Sequence, residues 1–291
     1  MIKLIVDGEV VDVEFHGFTG GERNVKIRGL AEAISQKEYE TYAVFANITS
    51  AEDIMDLILL KDALDRHTNV SLRHAKNMLF MPYLPYARQD RPMAVGEALG
   101  VKVMARLVND LSFHSVFVSD SHSSVGLSVL ENVIELTQAR LAKEFFDFVG
   151  IPIKDYILCA PDGGALKKVY ELAEMLGGAE IVVGQKHRDT KTGKITGTSF
   201  SGPSVKDRKV IMVDDICDGG ATFTHLGQAL KEGGAHQVDL YVTHGIFSKG
   251  IDDVFDGIVD NVYAMMPWKK YVEGKNTKNI LKLVDNCPMF Q

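Results

Sequence analysis

Short apolar runs alternate with amphipathic stretches along nearly the whole chain. The opening "KLIVDGEVVDVEF" reads as two strands turned over at Asp7-Gly8, a pair suited to a tight hairpin. "YAVFANI" reads as a strand, and Ser50 then caps a helix that runs to about Arg66, with Asp53 three residues beyond the cap. "NMLFMPY" is a further strand, followed by the polar loop "LPYARQDRPMAVGEALG", a helix over "KVMARLVNDL" and a strand "SVFVSD". After a helix near residues 141–148 the rhythm restarts. "YILCA", "EIVVGQK", "KVIMVDD" and "QVDLYVTH" read as strands, with helices near 164–176 and 222–232. Strand–helix alternation of this kind predicts an α/β chain with mostly parallel sheets flanked by helices. "GIPIKD" breaks the pattern with Gly and Pro. It places a boundary between a first domain, residues 1–149, and a second, residues 150–291, with a final helix free to pack back on the first.

Composition narrows the classes. The chain has 291 residues, enough for two domains. A net charge of -7 gives no broad basic surface, so nucleic acid is not an expected partner. No apolar run approaches a membrane span, and "MIKLIVDGEVVDVEF" lacks the pattern of a signal peptide. Cys159, Cys217 and Cys287 are widely spaced and form no CxxC pair, so neither a zinc site nor a disulfide framework is expected. A reducing cytoplasm fits this usage.

In parallel sheets ligands collect at the carboxyl ends of strands, and the unusual polar residues of this chain stand there. "KVIMVDDICDGGATF" ends a strand in Asp214 and Asp215, then supplies Asp218, Gly219, Gly220, Ala221 and Thr222 at a helix start. Acids suit a diol or a cation, and glycines let backbone N–H groups approach a phosphate; solvated acids in a βα turn are the plainer use. "PYARQDR" presents Arg88, Gln89 and Arg91, which suit a nucleotide or a surface salt-bridge loop. In "SDSHSS" an extended backbone would aim Asp120 and His122 to one side, for a metal or phosphate; otherwise Ser121 or Ser123 caps a helix and the histidine is exposed. Asp162 in "APDGG" serves as a cap, an outer metal ligand, or both. Lys186 and Arg188 end a strand two residues apart, before a polar stretch with Lys191, Gly193 and Lys194 that reads as a lid or a solvated hairpin. Taken together, acids and a phosphate loop in one half and arginines in the other fit Mg²⁺ bridging phosphates and carboxylates.

These motifs, "FTGGERNVKI", "PYARQDR", "DSHS", "APDGG", "QKHR", "VDDICDGGAT" and "THGIFS", span nearly the whole chain, which resembles the ribose-phosphate pyrophosphokinases. The resemblance implies two domains of phosphoribosyltransferase-like fold and transfer of a diphosphoryl group from MgATP to the 1-hydroxyl of ribose 5-phosphate. It implies ATP contacts from Arg88, Gln89 and Arg91, and an adenine contact across subunits from Phe18, Gly20, Gly21 and Glu22. His122 and Asp162 match metal-linked positions, and Lys186 with Arg188 match catalytic ones. Asp214 and Asp215 match the contacts to ribose hydroxyls and metal, and Asp218, Gly219, Gly220, Ala221 and Thr222 match the 5-phosphate cradle. A composite adenine site implies a homo-oligomer, a dimer or a hexamer of dimers. Two departures stand out: Gly20 replaces a usual acid, and Asp-Gly-Gly-Ala-Thr replaces the usual Asp-Thr-Gly-Gly-Thr. Three other readings compete: a phosphoribosyltransferase, which leaves "PYARQDR" unused; a catalytically silent relative, against which Lys186 and the acids speak; and a receiver domain, which leaves the first half unexplained.

Overall fold

The computed structural model describes residues 1–28, 38–67, 69–188 and 195–268, and packing divides the chain into two units, Met1–Leu136 and Thr137–Gln291. The polar stretch 189–194 and the expected final helix, with Cys287, lie outside the described residues. No helix among the described residues is long and apolar enough to cross a membrane.

In the first unit, strands β1 (Ile2–Val6) and β2 (Glu9–Val11) form the expected hairpin, with Val6 opposite Glu9. Asp7 and Gly8 both take positive φ, 46° and 84°, the backbone that a two-residue turn of this hand requires. A second antiparallel pair follows, β3 (Val13–Gly17) and β4 (Arg23–Ile27), forming a two-stranded sheet of its own. Then come β5 (Thr41–Ala46), α1 (Ala51–Asp65), α2 (Val70–His74), β6 (Lys76–Met81), α3 (Gly100–Asp110), β7 (Ser115–Ser119), α4 (Ser124–Val129) and β8 (Val133–Leu136). The main sheet has the order β2-β1-β5-β6-β7-β8, with β5 to β8 parallel and β1 antiparallel to β5. Ser50 accepts a hydrogen bond from the Asp53 amide, and Asp53 in turn accepts from the Thr49 amide at 2.8 Å, a variant of the reciprocal cap that the spacing predicts. Leu57, Leu60 and Leu64 make the inner face of α1, and they join Leu4, Val44, Leu79 and Val116 in one apolar core.

In the second unit, α5 (Gln138–Val149) leads into β9 (Tyr156–Ala160), α6 (Leu166–Met175), β10 (Ile181–Arg188), β11 (Ile195–Ser201), β12 (Lys209–Cys217), α7 (Ala221–Glu232), β13 (Gln237–Gly245), α8 (Asp252–Phe255) and β14 (Asn261–Pro267). The sheet order is β11-β10-β9-β12-β13-β14, parallel except that β11 runs against β10. Helix α5 packs on α6 and β13, with the Phe145 and Phe146 rings 5.2 and 5.1 Å from that of Tyr241. The division between units therefore falls before α5, whereas the Gly-Pro break lies after it. Helix α7 buries Phe223, Leu226, Gly227 and Leu230 over Val210, Met212, Val238 and Leu240. In the first sheet β6, which leads into a polar loop, lies between β5 and β7; in the second β12, which does the same, lies between β9 and β13.

Candidate active site

The second unit gathers most of the expected chemistry along the carboxyl edge of its sheet. Residues Val210, Ile211, Met212 and Val213 of β12 are fully buried, which fixes the strand, and the two acids follow directly. Side chains alternate along a strand, so Asp214 and Asp215 leave on opposite faces. The Asp214 carboxylate accepts the Asp215 amide at 2.9 Å. Asp215 is buried and meets the Lys168 ammonium of α6 at 3.6 Å. That ion pair offsets part of the cost of holding a carboxylate out of water. Lys168 was not among the expected site residues. Its partner stands on a distant strand, so no local sequence signal marks it.

Beyond β12 the chain turns through residues 218–222 into α7. Gly220 caps that helix with φ at 77°, and a side chain on it would run into Val254. Its carbonyl accepts the Phe223 and Thr224 amides, both at 3.0 Å, which leaves the Ala221 and Thr222 amides at the open end of the helix. A turn after β13 is stitched to this loop. The Ile246 and Phe247 amides donate to the Cys217 carbonyl, the Ser248 amide donates to the Asp218 carbonyl at 3.1 Å, and the Ser248 hydroxyl donates to the Asp218 carboxylate at 2.6 Å. Asp218 is thus half-buried and held by a neighbour. Burial pushes the Cys159 and Cys217 thiols well up, so both are small apolar fillers rather than nucleophiles.

Asp162 and Lys186 come together on the same edge. Asp162 follows β9, accepts the Gly164 and Ala165 amides at 3.0 and 3.4 Å, and accepts the Lys186 ammonium at 2.9 Å. It is cap and charge partner at once. Partial burial works to raise the Asp162 carboxyl, but the Lys186 hydrogen bond and charge, with the two amides, outweigh it and hold it below the usual carboxylate range. Arg188 is the final residue of β10.

In the first unit, "PYARQDR" leaves β6 as a turn and is tied to α3. The Gln89 carbonyl accepts the Val101 amide, and the Gln89 side chain lies against Gly100, where no side chain intrudes. Arg88, Gln89 and Arg91 are exposed, and Arg91 stands 3.8 Å from Asp90. Phe18, Gly20, Gly21 and Glu22 form the exposed tip between β3 and β4, closed by a hydrogen bond from the Phe18 amide to the Glu22 carbonyl. The extended geometry that would align Asp120 with His122 is not kept. Strand β7 stops at Ser119, and Asp120, whose amide still donates to the Leu136 carbonyl, takes a positive φ of 43°. Asp120 is buried and His122 exposed, and Ser123 caps α4 without a side-chain bond.

Comparison with known proteins bears on the fold and the family likeness. Residues 130–263 match the phosphoribosyl transferase domain family. The ribose-phosphate pyrophosphokinase of Thermococcus kodakarensis is 28% identical over 255 residues, covering 87% of this chain and 85% of that protein. The ribose-phosphate pyrophosphokinase of Pyrococcus furiosus is 28% identical over 258 residues, with the same shares covered. The phosphoribosylpyrophosphate synthetase from Mycobacterium smegmatis shares the fold, with a TM-score of 0.75 at 20% identity over 98% of this chain and 89% of that one. Two α/β units with mostly parallel sheets, the second matching a phosphoribosyl transferase domain, make this chain similar to the ribose-phosphate pyrophosphokinases over most of its length.

Proposed function

We propose that this protein transfers the diphosphoryl group of ATP to the 1-hydroxyl of ribose 5-phosphate, giving phosphoribosyl pyrophosphate and AMP. One observation carries the reading: the similarity to ribose-phosphate pyrophosphokinases covers 87% of the chain and so takes in both units. A phosphoribosyltransferase would account for the second unit alone. In this reading the second unit binds the pentose phosphate. The amides of residues 219–222 and the Thr222 hydroxyl take the 5-phosphate, and Asp214 and Asp215 take the ribose hydroxyls, with Lys168 paired to Asp215. The first unit binds the nucleotide through Arg88, Gln89 and Arg91, and the tip carrying Phe18, Gly20, Gly21 and Glu22 serves the adenine of a neighbouring copy in a homo-oligomer.

Lys186 and Arg188 answer the charge that develops on the transferred group. Before substrate arrives, Asp162 keeps the Lys186 ammonium in place at 2.9 Å. No strong protein base is needed, because placing the hydroxyl in line with the phosphorus and stabilising spread-out charge supply most of the rate. The oxygen donors fit Mg²⁺, which takes one or two carboxylates and fills its sphere with substrate phosphates and water. Among the described residues no three His, Cys, Asp or Glu side chains gather into a cage of their own. His122 in the first unit and Asp162 in the second are each proposed as metal-linked positions, and a bound ion would neutralise phosphate charge. Incubating the purified protein with Mg²⁺, ATP and ribose 5-phosphate should yield AMP and phosphoribosyl pyrophosphate in equal amounts. Absence of AMP, with pyrophosphate released from phosphoribosyl pyrophosphate when a nucleobase is added, would establish the phosphoribosyltransferase instead.

A further inference from the structure

The turn that follows β13 brings a lysine onto the phosphate loop. Ile246, Phe247 and Ser248 are bonded to Cys217 and Asp218, and the Gly250 amide closes the turn on the Phe247 carbonyl at 2.8 Å. Phe247 and Gly250 both take positive φ, 51° and 83°, so the turn holds a definite backbone shape rather than a generic loop. Lys249 stands inside it. Its stem lies along Gly219: a Cβ built there would be 3.5 Å from Lys249 Cε, 3.6 Å from Cδ and 3.9 Å from Nζ. The residue is exposed, and its ammonium makes no ion pair with any described residue, although Asp218 is close in sequence to the loop it covers. Asp218 is instead occupied by the Ser248 hydroxyl.

We infer that Lys249 is an anion-contacting residue that sets specificity for a phosphorylated sugar over the neutral one. This rests on the proposed assignment of residues 218–222 as the 5-phosphate subsite. Amides at a helix start supply directed donors but only a partial charge, and an ammonium arriving from a second segment adds a full one. The stem lies at ordinary van der Waals distance from position 219, which keeps it close along the loop. The turn is fixed from both ends, so the cation is delivered to the loop before ligand arrives, and little ordering of the lysine remains to be done on binding.

The test is direct binding of ribose 5-phosphate by calorimetry to the full-length protein and to its Lys249→Met and Lys249→Arg variants, with ribose and inorganic phosphate as comparison ligands. Lys249→Met should weaken ribose 5-phosphate by about tenfold, the loss expected for one charge-assisted hydrogen bond at an exposed site. Lys249→Arg should recover most of that, and the gap between wild type and Lys249→Met should narrow as salt is raised. Ribose affinity should be the same in all three. Unchanged ribose 5-phosphate affinity in a Lys249→Met protein that melts like wild type would overturn the inference. So would a wild-type protein that does not bind ribose 5-phosphate, or an equal loss for ribose. If the variants behave as expected but no AMP forms from ATP, the Lys249 assignment stands and the diphosphokinase reading falls. If AMP forms with the same KM for ribose 5-phosphate in Lys249→Met, the reverse holds.

Discussion

At the level of single residues, the Lys186–Asp162 pair makes the sharpest demand. An ammonium held at 2.9 Å by a half-exposed carboxylate is poised rather than locked, since a surface pair of this kind contributes little stability. Its use must come when phosphate charge competes for it. Lys186→Ala should therefore lower kcat by about a hundredfold or more, the scale for losing one donor to developing charge, with the KM for ATP changed only a few-fold. Equal losses in kcat and in ATP affinity would mean that Lys186 serves binding alone. Much of this site could be read in the sequence, because acids, glycines and cations there stand directly after apolar runs. Lys168 and Lys249 escaped that reading for a physical reason. Each meets its partner across chain separations that no local pattern encodes, one from a helix face and one from a turn fixed by hydrogen bonds to Cys217 and Asp218. Of the two readings for Asp120 and His122, the extended one required the strand to continue, and Asp120 leaves the extended region directly after Ser119.

At the level of elements, the strands that were legible are those buried on both faces, where the pattern is an unbroken apolar run, as in β9 and β12. The segments that went unread are edge or isolated ones. β8 spans only Val133–Leu136, and β4 belongs to a sheet that is not part of the main one, whose other strand, β3, was legible only as the end of the first hairpin. Helix α5 was legible as a helix, but its place was not, since Phe145 and Phe146 find Tyr241 nearly a hundred residues later in the chain. Phe145 is fully buried against Tyr241 and Tyr263. Phe145→Ala should cost about 3–5 kcal/mol, the range for emptying an aromatic site in a packed core. A urea midpoint shift corresponding to less than about 1 kcal/mol would show that α5 is not integral to the second unit.

At the level of the whole chain, two units with similar sheets are assigned two different ligands, and this division can be observed without turnover. Ribose 5-phosphate should slow amide exchange across residues 218–222 and 246–250. ATP with Mg²⁺ should slow it across residues 86–91, in the turn tied to α3. Bound ligand stabilises only the state that binds it, so protection should scale with occupancy. Protection by ATP confined to the second unit would break the assignment of Arg88, Gln89 and Arg91.

The β3–β4 ribbon carries a last consequence. Two strands alone are barely stable in water. This pair is kept by its apolar side, Val13, Phe15, Val25 and Ile27, lying on the first unit's core. It is also kept by Arg23, which forks onto the buried Asp56 of α1 at 2.8 and 2.5 Å. That fork moors the ribbon to α1, so the helix, and not the ribbon alone, decides where the outrigger bearing Phe18 is held.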